Sequence, residues 1–139
     1  MINITIPGRP ITKKNSQRIF QKYVGGKKVP FIMPSKAFMD YQDSCIEYLN
    51  KYKRLQIDRR VNVKCVYYMP TRRKVDLLNL MSATCDIFVH YGILVDDNSS
   101  IVIGHDGSRV LYDKDNPRAE ITITDEADIK DFATYPNKC

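Results

Sequence analysis

The segment LLNLMSATCDIFVHY, residues 77 to 91, constrains the fold more than any other stretch of this chain. Stepping 100° per residue places Leu77, Leu80, Met81, Thr84, Cys85, Ile87 and Phe88 on one broad apolar arc, so the spacing predicts a helix buried along one side. Asn79, Ser82, Asp86 and His90 fall within about 80° of one another on the opposite side, as a single polar stripe. Gly92 follows as the residue that best tolerates a left-handed C-terminal cap. Asp76 stands at the positive end of this helix, and the same segment runs on to Asp96 and Asp97. Each acid has an ordinary structural reading: Asp76 as an N-cap, and Asp96-Asp97-Asn98 as an Asx-rich turn.

Around this helix the chain alternates strand and turn signals. INITIPGRP alternates apolar and polar positions and breaks at Pro7, Gly8 and Pro10, which predicts a first strand and a turn. After the basic loop TKKNSQR, the run IFQKYVGGKKVPFIM sets two β-rich segments around Gly25 and Gly26, a hairpin with a lysine-studded tip. Ser35 is placed to cap a first helix carrying Phe38, Tyr41, Cys45, Tyr48 and Leu49 at helical spacing and ending near Tyr52. VNVKCVYYM is a strand with alternating Val61, Val63, Cys65 and Tyr67, stopped by Pro70. Beyond the long helix, residues 99 to 124 read as strand, Asp-Gly turn and strand, with a further strand at about 118 to 124. The pattern predicts an α+β fold: a small mixed sheet with two main helices.

A length of 139 residues fits one domain, with a core at about 1 to 124 and a polar tail from 125 to 139. No run approaches the roughly eighteen apolar residues that span a bilayer, and the N-terminus lacks a basic head followed by an apolar stretch. A cytoplasmic protein without membrane contact is expected. Cys45, Cys65 and Cys85 read as reduced core residues and Cys139 as part of the tail, since no C-x-x-C pair or nearby histidine gives ligand spacing.

The net charge of +6 conceals an asymmetry. Residues 1 to 75 hold 17 Lys and Arg against 4 acids, a net of +13, whereas residues 76 to 139 hold 5 against 12, a net of −7. A basic half of this strength points to a polyanionic partner, because each cation set on a phosphate releases counterions. The basic run TRRK abuts the aspartates, an arrangement suited to a place where phosphate and a divalent cation meet. Mg²⁺, with Mn²⁺ as a substitute, takes oxygen ligands and keeps several waters, so two or three carboxylates suffice to hold it against a phosphodiester. His90 and His105 have no nucleophile at a matching spacing, and His105-Asp106-Gly107 reads as a turn.

The sequence RRKVDLLNL, then Asp86, then GILVDD resembles the RusA family of Holliday junction resolvases, many of them carried by phages and prophages. ITIPGRPITKKNS and PSKAFMDYQDS are similar to the family's opening strand, basic loop and first helix entry. The resemblance implies a homodimeric, Mg²⁺-dependent endodeoxyribonuclease acting on four-way DNA junctions in recombination and repair. It carries the first motif aspartate onto Asp76, the motif asparagine onto Asn79 and the later acid pair onto Asp96 and Asp97. Asp76, Asp96 and Asp97 are then the expected metal ligands, with Asp86 as a further catalytic acid.

Arg72, Arg73 and Lys74 are expected at the phosphate near the cut, and Lys13, Lys14, Asn15, Lys27 and Lys28 along the backbone farther out. Leu78 stands where the family has its second motif aspartate, and Ser82 where a lysine is usual. A relative that binds branched DNA without cutting it is therefore the alternative. Asp86 is about 15 Å along the helix from Asp76, and Asp96 and Asp97 leave its far end. The site closes either by the chain doubling back after Gly92 or across two subunits.

Overall fold

The structure is a computed structural model that describes residues 1–13 and 18–129. Its elements follow the sequence in the order β1 (Ile2–Pro7), β2 (Arg18–Val24), β3 (Lys27–Met33), α1 (Lys36–Ser44), α2 (Ile46–Leu49), β4 (Val61–Met69), α3 (Leu77–His90), β5 (Val102–Gly104), β6 (Arg109–Tyr112) and β7 (Arg118–Asp125). The first helix begins as expected, with Ser35 Oγ accepting from Phe38 N at 3.2 Å. It is broken at Cys45, however, and reaches Tyr52 only through the short α2 and a turn of 3₁₀ helix.

Strand β7 lies at the centre of an antiparallel trio, between β1 and β4. The register explains the core. Ile4 faces Ile121 and Ile6 faces Ala119 across one junction, while Cys65 faces Ile121 and Tyr67 faces Ala119 across the other. All of these are buried. Because side chains alternate along a strand, one face of the sheet is thereby apolar. The other face carries Thr5 opposite Glu120, Lys64 opposite Thr122, and Tyr68 opposite Arg118. The helices cover the apolar face, which gives a two-layer α+β body.

Helix α3 supplies the crossover that a parallel pairing requires, and both β5 and β6 run parallel to β4 on its free edge. The expected strand, Asp-Gly turn and strand are all present here. Asp106 and Gly107 do form a turn, with Ser108 N donating to His105 O at 3.1 Å. Instead of folding β6 back on β5, the turn interrupts one edge strand in two pieces. His105 Nδ1 lies 2.8 Å from Val63 O, which holds the interruption against β4.

Leu80, Met81, Cys85, Ile87 and Phe88 of α3 are buried on the sheet, as the apolar arc requires. The Tyr67 hydroxyl, in the interior, meets Thr84 Oγ1 at 2.6 Å, and Thr84 Oγ1 in turn donates to Leu80 O at 3.1 Å. A buried tyrosine hydroxyl without such a partner would cost free energy, so this contact fixes how α3 sits on β4. Cys45, Cys65 and Cys85 are free and buried, as expected. Among the described residues no helix is long and apolar enough to cross a membrane. The β2–β3 hairpin forms its own two-stranded sheet and leaves Ile19, Tyr23 and Ile32 largely exposed.

Candidate active site

Helix α3 is started by Asp76, whose extended backbone lets Oδ1 accept from Leu78 N at 2.9 Å. The cap satisfies one orphan backbone donor and places negative charge at the positive end of the helix dipole. Leu78 is 69% exposed at this end, and Ser82 one turn on is also exposed. Asn79 and Asp86 are half-buried on the same stripe.

At the other end Gly92, at φ +74°, allows Ile93 N to reach back to Phe88 O at 2.9 Å and so reverses the chain. The buried Ile93 and Leu94 then run beside Ile57, which donates to Ile93 O at 2.9 Å and accepts from Val95 N at 3.0 Å. The turn that follows is built on aspartate and asparagine, as expected. Asp96 Oδ1 accepts from Asp97 N at 2.7 Å, Asp96 Oδ2 from Asn98 Nδ2 at 2.9 Å, and Asn98 Oδ1 from Ser100 N at 2.9 Å.

These contacts drive two adjacent carboxyls apart. The bond from Asp97 N, followed by that from Asn98, holds Asp96 below the ordinary carboxylate range. Asp97 is raised, first by partial burial and then by the negative charge of Asp86. The Cys85 thiol is pushed up to about 12, first by burial and then by Cys65, Asp97 and Asp86. Ile93 N and Leu94 N both bond back to Phe88 O, at 2.9 and 3.3 Å, so the chain after Gly92 turns back at the end of α3.

Lys13 completes this cluster, with Nζ 2.8 Å from Asp86 Oδ2 and both side chains about one-third exposed, at 36% and 35%. Expected along the DNA backbone, Lys13 is instead turned onto an acid 73 residues away in sequence. Asp86 is thus paired with Lys13, and its charge also raises Asp97. Asp76 stands ten residues up the helix, about 15 Å along its axis. Among the described residues no three of His, Cys, Asp and Glu gather closely enough to hold a metal ion by themselves. Asp76 caps α3, Asp96 bonds its own turn, and Asp97 is raised in part by the charge of Asp86.

The expected basic residues divide in the same way. Arg72 stacks its guanidinium 4.3 Å from the centre of the Tyr112 ring. Arg73 and Lys74 are exposed and border a pocket whose opposite wall includes Arg9 and Thr12. Lys27 and Lys28 are exposed beside the hairpin turn. Lys14 and Asn15 lie outside the described residues. Arg9, Thr12 and Tyr112 escape a sequence reading because Arg9 and Thr12 follow a Pro-Gly turn signal that accounts for their surroundings, and Tyr112 sits in an ordinary strand pattern.

No curated protein matches the chain. The family model for endodeoxyribonuclease RusA matches residues 7–124, from the last residue of β1 to the penultimate residue of β7. A match over that span takes in the capped start of α3, the Asp86–Asp97 cluster and the cationic loops together, and the chain belongs to the RusA endodeoxyribonuclease family, which acts on branched DNA junctions.

Proposed function

We propose that this chain is a Mg²⁺-dependent endonuclease that nicks four-way DNA junctions as a homodimer. The observation that carries the reading is the RusA family match, which spans Asp76, Asp86, Asp96 and Asp97 together with the basic loops. Asp97 resists ionisation first through partial burial and then through the charge of Asp86, and a cation beside these acids would relieve both. Mg²⁺ usually keeps several waters and is bound through one or two carboxylates plus substrate phosphate, so Asp86 and Asp97 fit it without a third acid. When bound, the ion supplies Lewis-acid polarisation of a phosphoryl oxygen and a more acidic water.

The protein's own share is positional. Lys13 fixes the Asp86 carboxylate, and the turn bonds to Asp96 aim Asp97 at it. Arg73 and Lys74 neutralise the phosphate entering beside the start of α3, where the helix dipole also favours an anion. Two subunits about a two-fold axis present two equivalent sites, one for each strand to be cut.

The test is nicking of a synthetic four-way junction with and without Mg²⁺, alongside a measurement of mass in solution. Paired nicks that require the metal and a dimeric mass support the reading; folded protein that cuts neither junction nor flap sinks it. A second reading, a junction-binding relative without cleavage, is favoured by one observation. Leu78, at the place of the family's second aspartate, is 69% exposed and offers no ligand atom. That reading predicts salt-sensitive junction binding without nicks, and nicking gained on Leu78→Asp.

A further inference from the structure

The loop after β1 and the loop after β4 face one another across a pocket of about 200 Å³, with Arg9 and Thr12 on one wall, Arg73 and Lys74 on the other, and Met69 between them. Three cations converge here. Several other surface arginines are paired: Arg59 with Asp125, Arg60 with Glu126, and Arg118 with Asp113 and Glu120. Among the described residues no carboxylate lies within ion-pair distance of Arg9, Arg73 or Lys74. Like charges gathered without a counter-ion raise a strong local potential, and such a concavity draws an anion.

A second observation is independent of charge. Thr12 is only 5% exposed, and among the described residues its buried Oγ1 has no hydrogen-bond partner. A hydroxyl that has given up water without a replacement bond costs free energy and calls for an explanation. Thr12 lines the pocket, so a rotation of its side chain toward an oxyanion held there would supply the missing acceptor, and the guanidinium forks of Arg9 and Arg73 match phosphate geometry.

Its position relates the pocket to the acids. Thr12 directly precedes Lys13, which holds Asp86, and Lys74 stands two residues before the Asp76 cap. We propose that this pocket is a phosphate seat: it holds one backbone phosphodiester of the DNA, neighbouring the phosphate addressed by Asp86 and Asp97. The DNA source of that phosphate rests on the function proposed above; the pocket's affinity for phosphate does not. Arg9 and Thr12 are thereby positioning residues that set which phosphate reaches the acids.

The experiment has two arms on the full chain. In the first, inorganic phosphate is titrated while amide NMR signals are followed; saturable shifts are expected at residues 9 to 12 and 71 to 75, and weakened in Arg9→Gln. In the second, affinity for a four-way junction is measured across salt concentrations. Arg9→Gln is expected to weaken binding about tenfold and to lower the log–log salt slope by about one. Thr12→Val is expected to weaken binding without changing the slope, to raise the thermal midpoint because the orphan hydroxyl is gone, and Thr12→Ser to restore binding. Arg59→Gln, whose partner is Asp125, serves as the control.

A flat phosphate titration at these residues, or junction binding whose salt slope Arg9→Gln leaves unchanged, overturns the phosphate seat. Saturable phosphate shifts in a protein that ignores junction DNA would sustain the pocket and overturn the DNA reading instead.

Discussion

The two halves of α3 handle charge in opposite ways. At its start a single carboxylate, Asp76, is committed to a backbone amide, and the neighbouring loop offers the cations Arg73 and Lys74. In its second half Asp86 is paired with Lys13, and its charge is felt by Asp97 in the turn beyond the helix. A cationic loop at one end and neighbouring acids at the other therefore adjoin α3; under the function proposed above, the first receives substrate phosphate and the second a metal ion.

The largest effect should come from the crowded pair. Asp97→Asn keeps the shape of the turn but removes the charge that faces Asp86. Metal-assisted cleavage of a four-way junction should fall by about 100-fold or more, while junction binding without metal stays unchanged or tightens. Nicking rates at fixed Mg²⁺, set beside gel-shift affinities, check this; an undiminished rate would remove Asp97 from the chemistry.

At the other end of the helix the same kind of substitution should act on stability. Asp76→Ala deletes the N-cap and should cost about 1 kcal/mol, read as a lower urea midpoint with unchanged slope. A cleavage loss in this variant that matches that of Asp97→Asn, at equal folded fraction, would show Asp76 reaching the site across a dimer interface. Leu78→Asp should be smaller still and of opposite sign. It replaces an exposed leucine by a charge the helix dipole favours, for a gain of about 0.3–1 kcal/mol, and should raise nicking if the first turn borders the metal.

The contrast was partly legible in the sequence. The 3.6-residue spacing from Leu77 to Phe88 gave the buried arc, Gly92 the reversal and Gly25-Gly26 the hairpin, because each follows from local backbone geometry. Asp76 as a cap and Asp96 in an Asx turn were readable for the same reason. The contact between Lys13 and Asp86 spans 73 residues, and no local pattern encodes it. Nor does alternation reveal that β5 and β6 both lie parallel to β4 on one edge, since alternation gives a strand's faces and not its neighbours. The break at Cys45 is equally silent, because Tyr48 and Leu49 keep helical spacing across it.

The smallest effect concerns pH, and its sign distinguishes the two acids of the turn. Asp97 titrates higher in the folded chain than in the unfolded one. Below both values it is protonated in either state and contributes nothing. As pH rises from the ordinary carboxylate range through the raised value, the unfolded chain gives up its proton first, so stability declines and stays lower above that point. Asp96 slopes the other way, because its folded value is depressed, and its contribution is lost as pH falls. Subtracting Asp97→Asn from the parent isolates the first slope: the variant should match the parent in acid and exceed it at neutral pH. The gain should be below about 1 kcal/mol, because Asp97 is largely exposed and water screens it. Added Mg²⁺ should raise the parent's thermal midpoint and leave that of the variant nearly unmoved, since a ligand stabilises only the fold that binds it. Equal metal stabilisation of both proteins would place the cation away from the crowded pair, and the two halves of α3 would then differ in charge without differing in purpose.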